Sequence, residues 1–116
     1  MPPTVVADFP RPPLPRAPAA LAKQGAVYFE AEFCVDCHGI GAEDARSSIP
    51  DLRLASAKTH EMLPAIVIGG LYKEKGMPPF PTLPPDELKA IQAYILNESW
   101  AAYESQEAHK PQQSSR

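Results

Sequence analysis

The chain has 116 residues, a mass of 12.6 kDa and a formal net charge of −3, with 11 Lys and Arg against 14 Asp and Glu. That length holds one small domain and not two. Without a basic stripe, nucleic acid is not an expected partner, and no apolar run approaches the ~18 residues of a membrane span.

Proline is the compositional outlier, with 15 residues, and Pro2, Pro3, Pro10, Pro12, Pro13, Pro15 and Pro18 fall in the first eighteen positions. A stretch this dense in fixed φ angles and missing donors is neither an interior helix nor a central strand. Residues 1–18 are therefore read as an extended, semi-rigid linker or tail. Met1 ahead of it suggests a start residue added to a mature or excised segment. From Ala19 the pattern takes the helical period, with Ala22, Gly25, Phe29 and Phe33 on one stripe beside Leu21 and Tyr28. Gly39 and Gly41 then open a loop, and residues 42–58 show no sustained period. Thr59 is the expected cap of a short helix reaching Gly69 and Gly70, with Leu63, Ile66 and Val67 inward, although Pro64 removes an early donor. Residues 76–85 carry five prolines and form a stiff irregular loop. Pro85 followed by Asp86 and Glu87 predicts the start of the last helix, with Leu88, Ile91, Tyr94 and Ile95 buried. The domain is thus bounded at 19–105, with 106–116 a polar, disordered tail. No strand pattern emerges, and the fold class is all-α.

Chemistry concentrates in Cys34-Val35-Asp36-Cys37-His38, the C-x-x-C-H signature of haem attachment. Two thiols one helical turn apart can add to the two vinyl groups of a porphyrin edge, and the adjacent imidazole then faces the iron as proximal ligand. Structural zinc would need four ligands, yet the other histidines, His60 and His109, stand far apart in sequence. A thioredoxin-like redox pair would need a βαβ context. A disulfide across so short a loop would stabilise little. These considerations favour one covalent haem c.

Candidates for the sixth ligand are Met77, Met62, His60 and His109. Met77 stands in Gly76-Met77-Pro78-Pro79, where two prolines hold an extended loop that could aim a thioether at iron. Met62 lies in an apolar helical pattern and suits core filling, and His60 is read as a surface or helix-start residue. Pro50, twelve residues after His38, is placed to offer its carbonyl to the Nδ1–H of that histidine, a bond that orients the ring.

On these residues the sequence resembles class I cytochromes c. More narrowly, it is similar to the C-terminal cytochrome domain of quinohaemoprotein alcohol dehydrogenases, which carry pyrroloquinoline quinone in a separate propeller domain. The likeness runs through Gly25 with Tyr28, the haem motif, Ile49-Pro50-Asp51-Leu52-Arg53, Ile66-Val67-Ile68-Gly69-Gly70, Gly76-Met77-Pro78 with Phe80 and Leu83, and Ile91-Gln92-Ala93-Tyr94-Ile95. It spans residues 22–98. The haem motif and Gly-Met-Pro are shared by many cytochromes c, whereas Pro-Asp-Leu-Arg and the proline-rich segment point to the dehydrogenase group. The resemblance implies a small cytochrome fold of three to five short helices around the haem. It further implies His38 and Met77 as axial ligands, Pro50 as the acceptor for the histidine and Arg53 on a haem propionate. Gly25 would then let the first helix cross close to the last at Tyr94.

With both axial positions filled, the function expected is one-electron transfer. The donor would be the quinone cofactor of a dehydrogenase domain, and the acceptor a copper protein, another cytochrome or an oxidase. Docking is expected at the haem edge beside Cys34, Cys37, Ile40 and the Met77–Phe80 loop. The chain shows no propeller repeat or quinone site, so it is not expected to oxidise an alcohol alone. Covalent haem attachment and a lone pair of cysteines point to the bacterial periplasm, and the isolated chain is expected to be a monomer. A free-standing shuttle cytochrome, and a haem enzyme or gas sensor with an open sixth site, are the alternatives.

Overall fold

The computed structural model describes residues 9–32, 34 and 52–109, and among these all regular structure is helical. Helix α1 covers Ala19–Ala31, α2 covers Ala57–Glu61 and α3 covers Pro85–His109. Between them lie a 3₁₀ turn at Leu52–Leu54, a π turn at Pro64–Ile68 and a second 3₁₀ turn at Lys73–Lys75. The all-α expectation holds. No helix of the described residues is long and apolar enough to cross a membrane.

The pairing of α1 with α3 organises the molecule. On α1, Ala22, Gly25 and Phe29 are buried, as the helical stripe requires. A Cβ at Gly25 would fall 1.8 Å from the Ala90 carbonyl oxygen and 2.9 Å from Tyr94 Cβ, so only a glycine permits this crossing. One turn further along, the rings of Phe29 and Tyr94 meet at 5.2 Å between centroids and 56° between planes. Helix α3 starts where Pro85, Asp86 and Glu87 place it, with the Glu87 and Leu88 amides donating to the Pro84 carbonyl. It continues to His109, past the boundary at 106 where a tail was expected. The extension has two supports. Gln106 bonds the main chain of Phe9, and the His109 Nδ1 lies 2.7 Å from the Ser105 carbonyl oxygen.

The middle of the chain departs from the expected single helix. Ser56, not Thr59, caps α2, its hydroxyl accepting from the Thr59 amide at 3.1 Å. Three residues of spacing between cap and donor explain the offset. Pro64 then interrupts the ladder because it brings no N–H. The chain widens into a π turn, closed by the Gly69 amide donating to the Pro64 carbonyl at 3.1 Å. The apolar face survives this change, with Leu63, Ile66 and Val67 all buried. They join Phe29, Leu83, Leu88, Ile91 and Ile95 in one core.

Two glycines on this path can be separated by substitution. Gly25 is blocked by space, whereas Gly76 sits at φ 102° with nothing within 4 Å of an added Cβ. Gly25→Ala must force the helices apart and is expected to cost about 3 kcal/mol or more. Gly76→Ala meets only the left-handed backbone penalty, about 1–2 kcal/mol. Urea-denaturation midpoints of the two variants check this order.

Candidate haem site

A core this small leaves apolar side chains that it cannot cover. Tyr28, Cys34, Leu52, Met62, Ile68, Met77, Phe80 and Tyr94 pack against the buried cluster while each stays half-buried. They come from α1 and the residues just after it, the first 3₁₀ turn, the end of α2, the π turn, the 76–85 loop and α3. Apolar surface left partly exposed around so small a core is what a flat apolar ring system could cover. The donor set is soft, since the band includes the Cys34 thiol and the Met77 thioether. Apolar breadth and sulfur together fit a haem.

Of the residues singled out in sequence, Cys34 and Met77 are brought to the same core. Cys37, His38 and Pro50 lie outside the described residues, as does Ile40. Arg53 is in the 3₁₀ turn beside Leu52, and its guanidinium stands 4.6 Å from the centroid of the Phe9 ring. No group of three or more His, Cys, Asp or Glu arranged for a metal ion occurs among the described residues.

The loop carrying Met77 is fixed at both ends. Its amide donates to the Tyr72 carbonyl at 3.3 Å, just after the left-handed Gly76. The Phe80 amide donates to the Val67 carbonyl at 2.7 Å, tying the loop to the π turn. Gly70, at φ 74°, lets Pro79 close on the same turn, because a Cβ there would lie 2.8 Å from Pro79 Cβ. Phe80 and Leu83, the apolar members of the proline-rich stretch, thereby reach the core.

His60 is not the surface residue its sequence position suggested. It is 3% exposed on α2, facing Gln92 of α3. The Gln92 side-chain nitrogen lies 3.3 Å from the His60 carbonyl oxygen and 3.2 Å from His60 Nδ1. Its NH₂ end must face a carbonyl acceptor, so it donates to Nδ1 as well, and the ring proton belongs on Nε2. That Nε2 is buried with no partner among the described residues. Burial lowers the His60 pKa from its ordinary 6.5 and keeps the ring neutral. Nothing in the local sequence marks His60 as interior, because its burial depends on α3, thirty residues away.

The fold and this site define a cytochrome c domain, a haem-binding electron-transfer module. The chain belongs to the family described as Cytochrome C oxidase, cbb3-type, subunit III, which matches residues 20–95. It is 38% identical over 110 residues to a lupanine 17-hydroxylase [cytochrome c] of Pseudomonas sp, covering 95% of this chain and 16% of that protein. It is 35% identical over 94 residues to the quinohemoprotein alcohol dehydrogenase ADH IIB of Pseudomonas putida, covering 80% of this chain and 14% of the relative. Among solved structures it resembles the quinohemoprotein alcohol dehydrogenase ADHIIG of Pseudomonas putida HK5, with a TM-score of 0.71 and 27% identity. That match covers 90% of this chain and 15% of the other. The chain therefore spans less than a fifth of the length of these relatives.

His60 yields a pH prediction. Its folded-state pKa lies below the unfolded value, so the unfolded chain takes up the proton first as pH falls. The stability it contributes is complete above pH 6.5 and is lost progressively below that value. Chemical denaturation at pH 7.5 and pH 5.5 should show a smaller loss on acidification for His60→Asn than for the wild-type chain.

Proposed function

We propose that this chain carries one haem c, attached through Cys34 and Cys37, and transfers single electrons with His38 and Met77 as the axial ligands. The observation that carries the reading is the position of Met77. A thioether on a doubly anchored loop packs on the same core as Cys34, the first thiol of the attachment motif. The haem, when bound, supplies reversible one-electron chemistry, and Met/His ligation raises its potential.

The chain's own residues do the rest. On this reading Cys34 and Cys37 would hold the porphyrin edge, Pro50 would accept from the His38 Nδ1–H and orient the ring, and Arg53 would balance a propionate. Leu52, Ile68 and Phe80 exclude water, which sharpens every electrostatic effect at the site. With both axial positions filled by protein, substrate has no route to bond at the metal.

The electron donor in this proposal is the quinone cofactor of a pyrroloquinoline quinone-dependent dehydrogenase domain. The names of the much longer quinohemoprotein relatives support that assignment. The acceptor is a copper protein, a second cytochrome or an oxidase, docking near the Met77–Phe80 loop in the bacterial periplasm. Short-lived contact over a small area suits such redox encounters.

Met77→Ala tests the ligand assignment. It should lower the midpoint potential by on the order of 0.1 V, a fraction of the roughly 0.8 V that axial ligands span, and let the reduced protein bind carbon monoxide tightly. An unchanged potential, with tight carbon monoxide binding already in the wild-type protein, would establish an open sixth site instead. For the attachment, replacing both Cys34 and Cys37 by alanine should make the haem extractable into acidified organic solvent, where the wild-type protein retains it.

A further inference from the structure

Residues 9–18 form a strap along the C-terminal half of α3, antiparallel to it, with Phe9 at Gln106, Leu14 at Trp100 and Ala17 at Asn97. The helix holds this strap as a binding site holds a ligand. Gln106 accepts from the Phe9 amide at 2.6 Å and donates to the Phe9 carbonyl at 2.9 Å. Asn97 accepts from the Ala17 amide at 2.8 Å and donates to its carbonyl at 3.0 Å. Between them the Trp100 indole N–H donates to the Leu14 carbonyl at 2.9 Å.

These contacts amount to a recognition rule. Each of the three held residues stands directly before a proline, namely Pro10, Pro15 and Pro18. A residue in that position is restricted to extended backbone. There its own N–H and C=O turn to the same side, where one primary amide can bridge both. The register agrees. Phe9, Leu14 and Ala17 are half-buried and Pro12 is buried, whereas Pro10, Pro15 and Pro18 are exposed and act through the backbone they stiffen.

Charge follows the same division. Positions 97–109 carry Glu98, Glu104 and Glu107 and no Lys or Arg, while positions 9–18 carry Arg11 and Arg16 and no acid. Carboxylates near a helix C-terminus oppose its dipole, and guanidinium groups laid beside them offset that cost. Arg16 pairs with Glu104, and the Arg11 and Arg16 guanidinium groups lie 5.0 and 5.2 Å from the Trp100 ring centroid. Tyr103 meets the indole edge-on at 6.0 Å and steadies the ring that both arginines use.

We propose that the C-terminal half of α3 is a binding site for an arginine-bearing, proline-rich segment. Residues 9–18 fill it in this structure, and it takes such a segment from a separate chain when its own is displaced. Prolines hold the segment close to its bound shape beforehand, so docking from solution gives up little backbone entropy. The chain's own strap competes from a high local concentration and so restrains the site. The inference does not depend on the haem reading, in which Asn97, Trp100 and Gln106 have no part.

The test uses the haem-loaded full chain and a capped synthetic peptide of residues 9–18. Trp100 is the one tryptophan of the chain, so its indole N–H gives a single resonance that reports whether the site is filled. In Phe9→Pro/Arg11→Ser/Arg16→Ser, which takes one donor and both cations from the strap, that resonance should leave its wild-type position. The peptide should restore it, and should bind this variant about tenfold or more tightly than the wild-type chain, whose strap competes. Adding Asn97→Leu should weaken peptide binding about tenfold through two lost hydrogen bonds. An Arg11→Ser/Arg16→Ser peptide should bind more weakly as well. If the triple variant fails to take up haem, the milder Arg11→Ser/Arg16→Ser chain gives the same affinity comparison. Peptide binding that is equally weak to variant and wild type, or that ignores Asn97→Leu, overturns the proposal. So does an indole resonance that stays at its wild-type position in the triple variant, because the named contacts then do not hold the strap.

Discussion

The contact between α1 and α3 at Gly25 is the constraint from which the remaining geometry follows. With a hydrogen where other residues carry Cβ, the α1 backbone comes into direct contact with the Ala90 carbonyl. Phe29 and Tyr94 then meet in a tilted pair 5.2 Å apart, and the end of α1 is set against the core. The attachment motif begins three residues beyond that helix, at Cys34, which packs on the same cluster. A side chain at position 25 would move α1 away from α3 and carry the first thiol with it. If Cys34 carries the proposed haem, the glycine would therefore shape the cofactor site from a distance.

Local chemistry made part of this arrangement readable from sequence. Pro85 with Asp86 and Glu87 announces α3, and the 3.6-residue spacing of Ala22, Gly25 and Phe29 announces α1, because caps and periodicity act within one or two turns. The inward set Leu63, Ile66 and Val67 was equally legible, although the backbone carrying them is a π turn that only the missing N–H of Pro64 explains. Long-range placement was not legible. His60 looks like a polar residue on a short helix until Gln92, thirty-two positions later, supplies its donor. Of the proposed site, sequence singled out Cys34 and Met77, which the structure brings to the same core, while Cys37 and His38 lie outside the described residues. The half-buried band of Tyr28, Leu52, Ile68 and Phe80 had no local signature, since nothing local separates these residues from ordinary core.

Proline density was the least well understood signal. As composition it reads as a tether, because proline removes donors and fixes φ. Its consequence here is the reverse of looseness. Ahead of Pro10 and Pro18, Phe9 and Ala17 present paired donors and acceptors to Gln106 and Asn97, and the Leu14 carbonyl ahead of Pro15 accepts from Trp100, all three on α3. Helix α3 benefits in turn. Its last turns contribute no residue to the main core cluster, so the strap gives them the tertiary contacts that a helix of this exposure otherwise lacks. That exchange accounts for a helix reaching His109 where polarity alone suggested a tail.

The two sulfur-bearing segments are held by separate devices. Cys34 follows α1, whose position is set by the Gly25 crossing, whereas the Met77 loop is anchored to the π turn by the Val67–Phe80 hydrogen bond and the close approach of Gly70 to Pro79. Both devices converge on one buried cluster through Phe29 on one side and Ile66 and Val67 on the other. A rigid plate bonded to both sides would therefore couple them and supply the apolar area that so short a chain cannot bury for itself. A haem bound there would complete the core as well as carry the electron. In the proposed ligation Met77 would have two distinct effects: a bond to the metal would set the potential, while its loop contributes to stability through Val67 and Pro79 whether or not that bond is made.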